Sequence, residues 1–150
     1  MIKQKSGRII NFSSRGATVG GGSAVYSTAK AGILGLTAAM ASDLKEYNIT
    51  VNVILPSAVT GLFPYAKKRM EDNIPVASTT EPEYVAPMVA YLATDGARGI
   101  TGRTIYASGG DIIIYPRYLQ FPADSPVFIR KTGKWTVEEI GGIVPQLLGL

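Results

Sequence analysis

The chain has 150 residues, of which 46% are hydrophobic, and this is enough for one packed domain but too little for two. It contains no cysteine and no histidine, which excludes disulfides and thiolate metal sites and leaves Tyr, Lys, Asp or Glu for proton transfer. The net charge of +4 is scattered and no apolar run could span a membrane, so we expect a cytoplasmic protein that binds neither nucleic acid nor membrane.

Two short apolar runs predict buried strands of a parallel sheet. The first covers residues 8–12 and ends in Ser13 and Ser14, and the second covers residues 49–55. Between them, apolar residues three and four positions apart predict a helix over residues 24–47. A strand, a helix and a strand in this order form a right-handed parallel crossover, so the sequence predicts an α/β fold.

Further elements are predicted downstream. Thr80 and Glu83 have the spacing of a capping box, so a helix should begin there and end near residue 94. Residues 104–107 predict a third strand, and residues 111–115 continue in an extended conformation.

The end of the chain is interpreted as a separate extension. Thr136 and Glu139 form a second capping-box pattern, which predicts a short final helix through Leu148. We therefore divide the chain into a domain of residues 1–115 and an extension of residues 116–150.

Tyr26 and Lys30 are the first candidates for chemistry. They lie four residues apart on a predicted helix, so they share one face, with Cβ atoms about 5–6 Å apart. A phenol is a poor acid–base catalyst at neutral pH unless a nearby cation favours its ionised form, as Lys30 could do. The same spacing occurs by chance on many helices, so a core tyrosine and a solvated lysine remain the alternative.

The surroundings of this pair resemble the second half of the short-chain dehydrogenase/reductase domain. The segments that carry the resemblance are residues 7–11, 26–32, 51–56, 85–93 and 100–103. The resemblance extends from residue 7 to about residue 114. It implies a partial doubly wound parallel sheet, the C-terminal half of a Rossmann-like fold, without the N-terminal half that normally holds the nicotinamide cofactor.

The resemblance implies roles for individual residues. Tyr26 would donate a proton to a ketone, or accept one from an alcohol, while hydride moves to or from the nicotinamide. Lys30 would bind the nicotinamide ribose, and both side chains would contact the cofactor. Ser14 would hold the substrate oxygen, although it lies one position closer to Tyr26 than is usual in the family. Ser13 has the usual interval but should point to the other face of the strand, so it is the alternative.

Cofactor contacts are also implied after the second strand. Pro56, Val59 and Thr60 follow it where family members close over the nicotinamide of NAD or NADP. Ser57 stands where most members have glycine, and an ordinary turn is the alternative interpretation. Residues 62–74 occupy the position of the family's substrate lid, and their basic residues could meet a phosphate or form a solvated helix face.

The implied activity is the interconversion of a ketone and a secondary alcohol. The overall similarity favours a 3-oxoacyl or 3-hydroxyacyl thioester, or a similar small carbonyl compound, as substrate. Strands without the missing half would expose apolar faces and unpaired edges, so a homo-oligomer is expected. The alternative is a non-catalytic truncated module that acts in oligomerisation or partner binding.

A rival hypothesis starts from the glycine-rich segment of residues 16–22. It fits the Gly-x-x-x-Gly-x-Gly turn between a strand and a helix, so this could be a first, nucleotide-binding half. Against it, the next strand ends in Pro56 and Ser57 rather than in an acidic ribose ligand.

Overall fold

The computed structural model describes residues 1–18, 23–60, 81–109 and 111–115, all within the compact unit Met1–Tyr118. Several predictions fall outside the described residues and stay predictions. They are Thr80 as a helix cap, most of the glycine-rich turn, the lid of residues 62–74, and the extension of residues 116–150 with its final helix.

One four-stranded sheet organises the described residues, in the order β1-β2-β3-β4. β1 pairs parallel to β2, β2 pairs parallel to β3, and β3 pairs antiparallel to β4. The strands are β1 (Gly7–Phe12), β2 (Ile49–Pro56), β3 (Thr104–Ser108) and β4 (Asp111–Ile114). The predicted α/β class is confirmed, and the final extended segment turns back as an antiparallel strand, with Ser108 opposite Asp111.

Two helices lie on opposite faces of the sheet, α1 (Ala24–Asp43) and α2 (Ala86–Ala93). Alternate residues of a strand face opposite sides of a sheet, and β2 packs against one helix on each side. Its Val53 and Leu55 pack with Leu34 of α1, whereas Ile54 packs with Leu92 of α2. All residues of β2 before Pro56 are buried, because the strand lies between these two layers.

α1 ends earlier than its periodicity predicts. The helix stops at Asp43, a 3-10 turn covers Lys45–Tyr47, and Asn48 takes the left-handed conformation with φ of 54°. Asparagine tolerates this conformation better than most residues. The prediction of a continuous helix to residue 47 was therefore wrong by one turn, because the chain must reverse there to enter β2.

α2 begins later than the predicted capping box. Residues Pro82–Tyr84 form a 3-10 turn, and the α-helix starts only at Ala86. Pro87 explains the difference, because its ring would clash with the carbonyl of Glu83 if the helix ran through both residues. Glu83 lies in the 3-10 turn, so the predicted helix start around it was wrong, whereas the predicted end lies next to the observed Ala93. Thr80 lies outside the described residues, so its role as a cap stays a prediction.

The carboxyl ends of the three parallel strands meet at one edge of the sheet, which we call the carboxyl edge. α1 runs back across the sheet from this edge, so its first residues lie beside the end of β1. The backbone N–H of Ser57 donates to the carbonyl of Ala107 over 3.1 Å and joins the ends of β2 and β3. The side chains implied by the family resemblance are thus distributed along this edge.

Candidate active site

Tyr26 and Lys30 lie side by side in the first turns of α1. The helix begins where it does because the Ser23 hydroxyl accepts a hydrogen bond from the backbone N–H of Tyr26 over 3.2 Å. The ammonium nitrogen of Lys30 lies 5.8 Å from the centroid of the Tyr26 ring. Tyr26 is 39% exposed, so its phenol is open to a ligand at the carboxyl edge.

Lys30 also connects α1 to the end of β1. Its ammonium donates to the carbonyl of Phe12 over 3.4 Å, and its own carbonyl accepts the hydroxyl hydrogen of Ser13 over 2.6 Å. Among the described residues no carboxylate forms an ion pair with Lys30. Because an ammonium carries several donors, Lys30 retains N–H groups for a ligand.

The two candidate serines have different partners. Ser13 is buried, and its only hydroxyl hydrogen is used in the bond to Lys30. The Ser14 oxygen accepts from the backbone N–H of Gly16 over 3.1 Å, which caps the 3-10 turn Arg15–Ala17. An accepting hydroxyl still has its own hydrogen to donate, so Ser14 is the better candidate to hold a substrate oxygen, and Ser13 stays the alternative.

The residues implied in cofactor contact lie at the same edge. Pro56 ends β2, Pro56 and Val59 are half-buried, and Thr60 is exposed. The segment from Pro56 to Thr60 has no helix or strand of its own beyond that end. Their role in cofactor contact stays a prediction.

Arg15 is a residue that sequence reasoning missed, since it was counted only among the scattered basic residues. Its guanidinium carbon lies 5.4 Å from the centroid of the Tyr106 ring in β3. Its Nε is buried and has no hydrogen-bond partner. The available signal was its position, a cation between Ser14 and Gly16 directly after a strand.

An apolar cavity lies at the opposite end of the sheet, away from Tyr26. Nearby, the pKa of Tyr47 is raised above its ordinary value. The main cause is a side-chain hydrogen bond with Glu46, and the Glu46 carboxylate would also repel the negative charge of an ionised Tyr47. The cavity lining contains no acid, hydroxyl or amide side chain, so we do not assign it to the chemistry. It is lined by Met1, Ile2, Lys3, Ile9, Leu44 and Ile49.

Two other features are absent from the described ranges. No cluster of acidic side chains suited to a metal ion occurs in them. No helix in this part of the chain is long and apolar enough to cross a membrane.

Comparison with known proteins places the chain in a family. A family model described as enoyl-(acyl carrier protein) reductase matches residues 1–111. A solved structure titled as a short chain dehydrogenase from Mycobacterium avium superposes with a TM-score of 0.73 and 34% identity, over 95% of this chain and 44% of that one. The chain belongs to the short-chain dehydrogenase/reductase family.

Curated relatives within this family include 3-oxoacyl-[acyl-carrier-protein] reductases. The enzyme of Staphylococcus aureus strain Mu50 is 40% identical over 116 residues, which are 73% of this chain and 47% of the relative. The enzyme of Synechocystis is 39% identical over 124 residues, which are 75% of this chain and 47% of the relative. The chain therefore spans about half the length of the curated relatives it matches.

Proposed function

We propose that this short-chain dehydrogenase/reductase chain interconverts a ketone and a secondary alcohol with NAD or NADP, acting on a 3-oxoacyl or 3-hydroxyacyl thioester. The observation that carries the proposal is the placement of Tyr26 and Lys30 side by side at the start of α1, tied through Lys30 to the end of β1.

The proposed proton chemistry uses three side chains. In the reductive direction the Tyr26 phenol would give its proton to the carbonyl oxygen, which becomes the hydroxyl of the alcohol, and the cofactor would supply the hydride for the carbonyl carbon. The Ser14 hydroxyl donates a hydrogen bond to the same oxygen and holds it in place. The Lys30 ammonium stabilises the negative charge left on the phenol oxygen after the proton has moved.

The residues present suit the nicotinamide end of the cofactor. When bound, the cofactor supplies or accepts the hydride. The N–H groups that Lys30 retains would donate to the ribose hydroxyls of that end. Pro56, Val59 and Thr60 would line the same end of the cofactor after β2.

The thioester part of the proposal is supported by the names of the relatives. The curated relatives are called 3-oxoacyl-[acyl-carrier-protein] reductases, whereas the family model is described by an enoyl reductase. A 3-oxo substrate presents a C=O bond and an enoyl substrate presents a C=C bond. A phenol and a hydroxyl can both donate to the oxygen of a C=O bond, so we propose the 3-oxo substrate.

The test begins with fluorescence titrations of the whole chain with NADH and NADPH. Oxidation of the bound nucleotide is then followed by absorbance after addition of an acetoacetyl thioester or a crotonyl thioester. We expect turnover with the acetoacetyl compound, and Tyr26→Phe should lower it by about 10²- to 10⁴-fold, because general acid catalysis contributes about that much. Tyr91→Phe is the matched control, since Tyr91 is an exposed phenol on α2.

The possible results separate the alternatives. Turnover of the crotonyl compound alone would contradict the substrate class. A folded chain that binds neither nucleotide would contradict the enzymatic proposal and would favour the non-catalytic module. Equal losses in Tyr26→Phe and Tyr91→Phe would remove Tyr26 from the mechanism.

A further inference from the structure

Arg15 carries a charge that the described protein does not neutralise. No ion pair or side-chain hydrogen bond reaches its guanidinium from the described residues, and its Nε is shielded from solvent without a partner. The group lies over the buried ring of Tyr106, which accounts for its position but satisfies none of its N–H donors. A buried, unpaired N–H of a charged group is costly in a protein, so a missing acceptor is indicated.

Ser108 is a second unpaired polar group on the same side of the sheet. It is 1% exposed, and its hydroxyl oxygen also lacks a hydrogen-bond partner. Ser108 follows Tyr106 by two positions in β3, so both side chains lie on the face that α1 covers, with their Cα atoms about 7 Å apart along the strand. Tyr106 therefore relates the two groups, because Arg15 lies over its ring and Ser108 lies on the same face of the same strand.

We infer that Arg15 and Ser108 form a subsite for an anionic oxygen group. The group is either the carboxylate of a short 3-oxo acid, taken as a second substrate class beside the thioester, or a phosphate of the coenzyme A that carries the thioester. A guanidinium is the side chain best suited to bind such groups, and a serine hydroxyl can donate to the same oxygen atoms. The inference rests on the proposed function only for the location of the reacting carbonyl beside Ser14.

The position of Arg15 next to Ser14 favours the carboxylate source. Adjacent Cα atoms are about 3.8 Å apart, so the guanidinium remains within one side-chain length of the serine that holds the reacting oxygen. The carboxylate of a short 3-oxo acid lies two carbons from its ketone. The phosphates of coenzyme A are separated from the thioester by a long flexible arm.

Asp111 is the competing partner within the protein. It lies opposite Ser108 in the register of β3 and β4, so the two side chains share a face. No ion pair joins Asp111 to Arg15 in the described structure. A test must therefore separate an anion subsite from an ion pair that forms between these two side chains.

Three ligands that share the acetoacetyl group test whether the subsite binds a carboxylate or a phosphate. Acetoacetate carries a carboxylate, acetoacetyl-coenzyme A carries distant phosphates, and the acetoacetyl thioester of N-acetylcysteamine carries neither. Binding of each probe to the whole chain is measured by ligand-observed NMR without cofactor, and KM is measured where turnover occurs. The variants are Arg15→Gln, Ser108→Ala and Asp111→Asn, with Arg98→Gln as a control that removes an exposed charge beside α2.

We expect Arg15→Gln to weaken binding of acetoacetate by about tenfold or more, with a smaller loss in Ser108→Ala, because charge-assisted hydrogen bonds are lost. The neutral thioester and the control variant should show no change, and Asp111→Asn should tighten acetoacetate binding. A loss confined to acetoacetyl-coenzyme A would support the subsite and identify the phosphate as its ligand.

Several results would overturn the inference. They are no binding of any probe by the folded wild-type chain, and equal effects of Arg15→Gln on all probes. A third is a loss of thermal stability in the double variant Arg15→Gln/Asp111→Asn that differs from the sum of the two single losses, without any effect on binding. Failure of the proposed function has a different signature, because anion binding that depends on Arg15 would persist in NMR while the reductase assay shows no turnover.

Discussion

Lys30 takes part in the candidate site through its backbone and its side chain, and the two parts have different consequences. Its carbonyl accepts the Ser13 hydroxyl, which fixes the start of α1 against the end of β1. Its ammonium approaches the Tyr26 ring and the Phe12 carbonyl. A side-chain substitution leaves the first contact in place, so the functional part can be tested without removing the structural one.

We expect Lys30→Met to weaken NADH or NADPH binding by about tenfold or more, because charge-assisted hydrogen bonds to the ribose would be lost. The thermal midpoint should change little, since the Ser13 bond uses the backbone. Fluorescence titration measures the affinity, and Lys45→Met, an exposed lysine at the far end of α1, is the control. An unchanged affinity in Lys30→Met would contradict the role in cofactor binding.

The two serines show where prediction at the residue scale is limited. The sequence places both at the end of β1 and favours Ser14, which has the expected face, although Ser13 has the usual interval and is the alternative. The structure adds that Ser13 uses its hydrogen on Lys30, whereas Ser14 only accepts. This information depends on the approach of α1, which no local pattern contains.

At the scale of elements, Asn52 holds the segment before β3 against β2. Its side-chain amide donates to the carbonyl of Ile100 over 2.8 Å, and its oxygen accepts from the N–H of Arg103 over 3.1 Å. Gly102 lies between these contacts with φ of +67°, and a Cβ there would lie 3.4 Å from that of Ala41. The tight turn thus brings β3 into register beside β2.

We expect Asn52→Leu to lower the free energy of unfolding by about 2–4 kcal/mol, because two backbone groups would lose their partners in a buried place. Thr50→Val is the matched control on the same strand, since the Thr50 hydroxyl is buried without a partner, and its effect should stay within about 0.5 kcal/mol. Denaturant unfolding followed by circular dichroism measures both. Equal losses would mean that the Asn52 bonds add nothing beyond burial.

The strands and helices themselves were largely predictable, because buried residues recur at three- and four-residue spacing in a helix and form alternating or continuous apolar runs in a strand. Helix ends were less predictable. α1 stops at Asp43 because the chain must turn into β2, and α2 starts at Ala86 because Pro87 prevents an earlier start. The direction of β4 depends on its pairing with β3, so its extended pattern alone did not reveal the reversal.

At the scale of the molecule, apolar side chains remain exposed at both ends of the described sheet. β1 pairs only with β2 in this part of the chain, which leaves its other edge without a strand. On β4, Ile112 and Ile114 are 58% and 63% exposed. Open edges with exposed apolar residues favour association with another chain, so we expect self-association.

We expect the double variant Ile112→Lys and Ile114→Lys to shift the chain towards the monomer, because charges on an edge strand oppose pairing. Sedimentation velocity at several concentrations measures the shift. Tyr84→Lys, an exposed aromatic outside the strands, is the control. An unchanged distribution in the double variant would mean that association, if present, uses another surface.

The sequence by itself determined the α/β class, the first three strands with a parallel crossover between the first two, and the pairing of Tyr26 with Lys30 on one helix face, because each depends on the spacing of residues close along the chain. Only the tertiary structure decided how Lys30 meets the end of β1, that Arg15 lies over Tyr106, and that β4 runs antiparallel to β3. The first two contacts join residues that are distant in the chain, and the third depends on a choice of strand pairing. Contacts of this kind arise from packing of the whole domain and leave no local period in the sequence.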